Sequence, residues 1–279
     1  MIYLLLFILG LCVGSFLNVV IYRETRDEKV KRSSKSRKGF LRYLPAWVVG
    51  RSFCDHCKKQ IPWYDNIPLL SFVLLKAKCR FCHHKIPFQY PLVEFLTGLE
   101  FIWIYFLVQS NLTFFSRFEG FYSFLSLILW LILGACFLAI FIADFNYQII
   151  PDSAVFFGIF ISFLRLLVDY RYTGMINFSV FWAAIGASLF FTGLVLITKG
   201  QGMGIGDIKL AFLMGLILGF PKILMALFFS FLTGAGAGVI LILLGKKKLK
   251  SEIAFGPFLI GGTIFALIYG ERLWKLLGY

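Results

Sequence analysis

Eight apolar runs, separated by short stretches rich in charge, proline or glycine, set the terms for this chain. They fall at Ile2–Tyr22, Phe95–Val108, Phe121–Ile142, Ser153–Val168, Phe178–Thr198, Ile208–Phe220, Ile223–Leu244 and Ile253–Tyr269. Such runs are either hidden in a water-soluble core or solvated by lipid. Composition decides between the two. The 279 residues are 59% hydrophobic and only 15% charged, against about 25% charged in soluble domains. Mean hydropathy is +0.84. One soluble core cannot hide that much apolar surface, so lipid must solvate it. The expected fold is an all-α polytopic membrane protein of about eight transmembrane helices, although several runs fall short of the roughly 20 residues a spanning helix needs. Phe220, Pro221 and Lys222 leave open a single long span in place of the pair around them.

The chain carries 28 Lys and Arg against 14 Asp and Glu, a net charge of +14. The positive charges sit in blocks between the apolar runs and form no separate basic fold, so no nucleic-acid partner is expected. No positive residue precedes the first run, and Arg23 follows it directly. A cleaved secretory signal has the opposite order, so the first run reads as a retained span with its N-terminus outside. Eight crossings then put 23–94, 143–152, 199–209 and 245–252 inside, and these segments hold 22 of the 28 Lys and Arg. Arg117, Arg165, Arg171, Lys222, Arg272 and Lys275 are the remainder. This split fits the positive-inside rule.

The long inside loop has two parts. Arg23 to Arg42 is rich in Lys, Arg and Ser and is expected to be mobile, holding the topology or touching anionic lipid heads. From Cys54 onward, aromatics and prolines point to a folded segment. The expected division is therefore 1–94, the first span with its cytoplasmic loop, and 95–279, the remaining seven helices.

Cys54-Asp-His-Cys57 and Cys79-Arg-Phe-Cys82 are two C-x-x-C pairs within that loop. Four thiolates at this spacing suit tetrahedral zinc, which would hold together a loop with little core of its own. A reducing cytoplasm favours metal over disulfides, and redox chemistry is the other alternative. His56, His83 and His84 lie close enough in sequence to replace a cysteine. Four thiolates close the site, which makes the zinc structural. Cys12 and Cys136 lie inside apolar runs and read as small core residues.

Ionisable residues at membrane depth are costly and mark functional sites by default. Two acidic segments stand out. Asp144 ends an apolar helix in Ala143-Asp144-Phe145-Asn146-Tyr147-Gln148-Ile149-Ile150-Pro151-Asp152, where Asp152 reads as a cap or first-turn acid of the next helix. Asp207 follows the alternating glycines Gly202, Gly204 and Gly206, which leave the backbone open to close approach by another chain. A flexible turn with a capping Asp is the alternative. Lys209 is expected to point away, toward lipid heads. The chain crosses the membrane twice between Asp144 and Asp207, returning both carboxylates to one face. Facing carboxylates can share a proton: the ionised one activates water and the protonated one donates to a scissile carbonyl. No G-x-S-x-G, H-E-x-x-H or Walker loop is present.

The same residues carry a resemblance. Gly14-Ser15-Phe16-Leu17-Asn18-Val19-Val20-Ile21-Tyr22-Arg23, the two cysteine pairs, Asp65-Asn66-Ile67-Pro68-Leu69-Leu70-Ser71, Tyr90-Pro91-Leu92-Val93-Glu94, the stretch from Asp144 to Asp152, Gly204 to Asp207 and Phe255-Gly256-Pro257-Phe258 follow in order over nearly the whole chain. In this the chain resembles bacterial type IV prepilin peptidases, the prepilin leader peptidase/N-methyltransferase family. The resemblance implies a bifunctional enzyme of the bacterial inner membrane. It would cut prepilin or pseudopilin precursors after a glycine on the cytoplasmic side. It would then methylate the new N-terminus, usually phenylalanine, with S-adenosylmethionine. By motif, Asp144 and Asp207 would be the catalytic pair and Cys54, Cys57, Cys79 and Cys82 the zinc ligands, with Gly204 and Gly206 in the substrate loop and the cytoplasmic loop serving methyl transfer. Glu94 is a candidate for the methyl donor, with a plain helix-end charge as the alternative. The chain departs from the pattern in its long basic Arg23–Gly50 stretch, in Ala77 where glycine is usual and in Ala254 where proline is usual.

Two other readings remain. One is a G-x-G-D membrane protease without methyltransferase activity, to which the cysteine loop would be foreign. The other is a membrane adaptor or transporter whose aspartates serve as cation or proton sites.

Overall fold

The computed structural model describes residues 1–33, 52–109, 120–200, 203–245 and 254–276. Gly202, Arg117, Ile253 and the 34–51 part of the basic loop lie outside the described residues. The chain divides into two compact units, Met1–Phe106 and Leu107–Tyr279.

The first unit is built on an antiparallel helix pair, α1 (Ile2–Ser33) and α3 (Gln89–Gln109). Their register reads down the pair. Tyr3 meets Tyr105 edge-on, and a Cβ added to Gly10 would lie 2.7 Å from the Gly98 backbone. One added to Gly14 would lie 2.7 Å from the Glu94 Cα, and Asn18 Nδ2 donates to the Tyr90 carbonyl at 3.0 Å. The spacing Gly10-x-x-x-Gly14 is thus a small-residue stripe that lets two helix backbones touch, the contact that packs helices where no hydrophobic force drives them together. α1 continues beyond its apolar run to Ser33. This corrects the expectation of a mobile chain from Arg23 onward. The stretch from Arg23 to Arg32 is dominated by Arg, Glu and Lys, all good helix formers. Between the two helices lie the cysteine loop, a 3-10 turn at Trp63–Asn66 and the short α2 (Leu70–Leu74).

The second unit contains α4 (Phe121–Tyr147), α5 (Asp152–Thr173), α6 (Ser179–Ile197), α7 (Ile205–Leu218), α8 (Lys222–Leu243) and α9 (Gly256–Leu276). α7 is its axis. Leu210, Ala211, Leu213, Met214, Leu216 and Ile217 are all fully buried, as an all-round apolar helix requires. Against α6 the backbones meet: a Cβ on Gly215 would lie 2.3 Å from the Ala184 Cα. α5 and α9 pack against α7 as well. At the far end of α7, buried Arg165 of α5 lies over the Trp130 ring of α4, faces Asp169 at 3.6 Å and donates to the Ile217 carbonyl at 3.4 Å. A cation there complements the negative end of the helix dipole. α7 and α8 are separate helices joined through Gly219, whose φ of +67° turns the chain, so the pair around Pro221 is not one span.

Six helices among the described residues are long and apolar enough to cross a membrane. The other two expected spans correspond to α9, whose apolar part is Gly256–Gly270, and α7. A 14-residue helix like α7 rises about 21 Å, less than the roughly 30 Å hydrocarbon layer.

Candidate active site and metal-binding loop

Asp144 lies in the last turn of α4. Gln148 ends the helix with a left-handed φ of 53°, and its N–H closes on the Asp144 carbonyl at 2.8 Å. A helix C-terminus disfavours an anion, so the carboxylate needs another partner. It has one: the Gly256 N–H, opening α9, donates to Asp144 Oδ2 at 2.8 Å. Residue 256 must be small for this, because a Cβ there would lie 2.7 Å from the same oxygen.

Asp207 is the third residue of α7. Its Oδ2 accepts the Gly204 N–H at 2.9 Å, while its own N–H returns to the Gly204 carbonyl at 3.2 Å. A carboxylate in a first helical turn is favoured by the dipole, and the reciprocal bonds hold the G-x-G-D loop shut on itself. Gly206 packs against the chain leaving Asp144, since a Cβ on it would lie 2.9 Å from Ile150 Cβ. The close approach expected at Gly206 is therefore made by the protein itself. Asp144 and Asp207 are 6% and 7% exposed, and the charge of Asp144 acts on Asp207. Buried like charges in mutual reach titrate as a pair.

Asp152 is the first-turn acid of the two roles expected for it, and Lys209 departs from its expected role. Pro151 occupies the N-cap of α5 and Asp152 the first turn, with no side-chain cap. Lys209 does not point away: its Nζ donates to Asp152 Oδ1 at 2.7 Å and lies over the Phe156 ring. The pair ties the start of α5 to the start of α7, eight residues beyond one aspartate and two beyond the other.

The cysteine loop is built as two copies of one local structure. In each, the first cysteine carbonyl accepts an N–H from four residues on (Lys58 at 2.8 Å, His83 at 3.0 Å). Its N–H donates to the carbonyl five residues on (Lys59 and His84, both 2.9 Å). Lys58 and His83 both take positive φ, 57° and 55°. The bridges Phe53–Gln60 and Lys78–Lys85 close the two copies. Cross-contacts repeat too: His56 stacks on His84, and Lys59 lies over the Phe81 ring. The two copies bring the Sγ atoms of Cys54, Cys57, Cys79 and Cys82 within 4.8 Å of one another. Cys54 and Cys82 are 3.8 Å apart, which is the sulfur–sulfur edge, about 3.8 Å, of a tetrahedron with metal–sulfur bonds of about 2.3 Å.

The protonation of these sulfurs points the same way. The Cys79 thiol is drawn down to about 7, chiefly by the Cys82 backbone N–H. For Cys82 the His84 backbone N–H pulls down, but burial and the three neighbouring sulfurs prevail and push it up to about 11. A divalent cation at the centre would relieve this crowding and take all four as thiolates. The four residues fit a structural metal. The histidines are not needed as ligands.

Glu94, the sixth residue of α3, is 8% exposed, and its Oε2 accepts the Leu69 N–H at 2.8 Å. It is buried inside the first unit, near the start of α3.

Comparison with known proteins places this architecture. Residues 8–108 match the bacterial peptidase A24 N-terminal domain, and residues 131–239 match the type IV leader peptidase family. The chain is 31% identical to the prepilin leader peptidase/N-methyltransferase of Aeromonas hydrophila, covering 99% of this chain and 94% of that protein. It is 30% identical to that of Stutzerimonas stutzeri over 95% and 90%. To that of Bacillus subtilis it is 31% identical over 81% and 84%. The chain belongs to the prepilin leader peptidase/N-methyltransferase family. No solved structure matches it.

For this family member, motif reasoning singled out both aspartates and all four cysteines but missed the groups that hold them. Gly256 was visible only as part of a motif, with nothing to tie it to Asp144. The duplication was legible: C-x-x-C-x-x-x-I-P-aromatic occurs at Cys54–Trp63 and again, 25 residues on, at Cys79–Phe88.

Proposed function

We propose that the protein is a membrane aspartic endopeptidase that removes the leader of type IV prepilins or pseudopilins, with Asp144 and Asp207 as its catalytic pair, and then N-methylates the exposed residue. The observation that supports the pair is their setting: two buried carboxylates, each with one oxygen fixed by a backbone N–H, with the charge of Asp144 acting on Asp207. With one proton between them, the ionised acid takes a proton from water as it attacks the scissile carbonyl, and the protonated acid donates to the carbonyl oxygen. A glycine before the cut makes local unwinding of the substrate helix cheap.

For the methyl transfer, S-adenosylmethionine, when bound, would supply an activated methyl group to the new N-terminal amine, whose proton would pass to a base. Cys54, Cys57, Cys79 and Cys82 would hold a zinc ion, which would supply the cross-link of the loop. We assign leader cleavage to the helices after residue 94, methyl transfer to 1–94, and both to the cytoplasmic face with the N-terminus outside, on the strength of the Lys and Arg distribution.

Co-expression with a prepilin tests this. Asp144→Asn and Asp207→Asn should each abolish leader removal on a gel, and wild-type product should carry a methylated N-terminus by mass spectrometry. Wild-type cleavage by either variant overturns the pair. An unmethylated wild-type product, with donor present, favours a peptidase alone.

A further inference from the structure

The first unit contains a cavity of about 440 Å³, lined by α1, the cysteine loop and the start of α3 and open on one side. This is within the roughly 300–1,000 Å³ of small-molecule sites. Three features of its wall specify an occupant. The first is Asn18, 4% exposed. The Tyr90 carbonyl can only accept, which fixes Nδ2 toward it, and Oδ1 is left buried with no hydrogen-bond partner among the described residues. A buried acceptor without a donor is costly, so a ligand N–H or O–H fits there.

The second is Glu94, also lining the cavity. Its neighbours are the Leu69 N–H and the Ser15 hydroxyl, and it has no ion-pair partner among the described residues. The other acids of the wall are engaged. Asp65 takes Arg80 through two bonds of 2.7 and 2.5 Å, and Asp55 accepts the Tyr22 hydroxyl and faces Lys58 at 3.9 Å. A buried carboxylate without a cation favours a cationic ligand. The third is the flat surface of the knuckles, where the His56 and His84 rings stack and Phe81 stands beside them. Ser15 and Asn18 are three apart on one helix, so the acid and the orphan acceptor share a face of the cavity.

We propose that this cavity binds a cationic sulfonium nucleoside, with Glu94 facing the positive sulfur and Asn18 Oδ1 accepting a hydrogen bond from the ligand; the inference rests on the methyltransferase half of the proposed function. It makes the metal knuckles a wall of the donor site as well as a cross-link of the loop.

Binding of two probes separates charge recognition from mere folding. S-adenosylmethionine carries the sulfonium charge, and S-adenosylhomocysteine, a neutral thioether, lacks it. By calorimetry on the purified full-length protein, Glu94→Gln should weaken S-adenosylmethionine about tenfold or more and leave S-adenosylhomocysteine within about twofold. Asn18→Leu, of similar shape, should weaken both about tenfold. Metal content and gel-filtration volume check that each variant folds. Equal losses of both probes in Glu94→Gln, or unchanged binding in both variants while the wild type binds and methylates, overturn this assignment alone. Wild-type protein that cuts prepilin but neither binds donor nor methylates overturns the methyltransferase reading and this inference with it.

Discussion

The cysteine loop and the helical unit are two opposite ways of holding chemistry in place. Within residues 52–88 only Cys79, one of the four clustered cysteines, is buried. In α7, by contrast, six side chains from Leu210 to Ile217 are wholly enclosed. The loop has no apolar core to order it, so its geometry depends on short backbone bonds and on whatever joins four sulfurs. The helical unit is ordered by packing spread over many contacts, and its aspartates are fixed by single backbone N–H groups that this packing delivers. Removing one ligand should therefore undo the loop, whereas removing one packing contact should leave the helices standing.

The largest effect expected is metal removal. Structural zinc is worth about 10–16 kcal/mol to small metal-folded domains. Chelation, or Cys82→Ser, should expose 52–88 to limited proteolysis well before the helices of the second unit are cut. A loop that stays protected without metal breaks the comparison. Retention should also depend on pH. Binding must displace the proton from Cys82, pushed up to about 11 in the metal-free loop, so metal should be held more weakly as pH falls. Competition with a coloured chelator across pH measures this.

Next come the aspartates. Asp144→Asn and Asp207→Asn should each lower the leader-cleavage rate about 100- to 10,000-fold, the range of a lost general acid or base, with the helical fold intact by circular dichroism. Unfolding instead would mean that the carboxylates serve packing, and the contrast between the units would lose its meaning.

Gly256→Ala sharpens the point. Its Cβ would press to 2.7 Å from the Asp144 carboxylate, whereas a Cβ on Gly236 of α8 meets nothing within 4 Å. Gly256→Ala should cut turnover about tenfold or more, since small misplacements of reacting groups are costly. Gly236→Ala should be neutral or slightly stabilising. Equal behaviour of the two would sink the role given to the Gly256 N–H. The smallest effect is expected from Lys209→Met. Its ion pair with Asp152 is partly exposed, at 30% and 53% of the two side chains, and such pairs contribute about 0.2–1 kcal/mol. A shift in thermal midpoint of a few degrees at most should follow.

The sequence by itself determined the membrane class, because apolar content is a sum over residues and needs no three-dimensional information. It determined the candidate metal site for a related reason: ligand spacing within each knuckle is local, and the 25-residue repeat writes the loop twice. It also placed Asp144 and Asp207 at helix ends, from the positions of Pro151 and the glycines. It did not give helix lengths where charge follows an apolar run, as in α1 beyond Tyr22, because helix propensity continues where hydropathy stops. Only the tertiary structure decided what holds these side chains. The Gly256 N–H that fixes Asp144 lies 112 residues away, and the Tyr90 carbonyl that orients Asn18 lies 72 residues away. A backbone donor or acceptor is present at nearly every residue and so leaves no mark in the sequence. Which one reaches a given side chain is settled by how the helices pack.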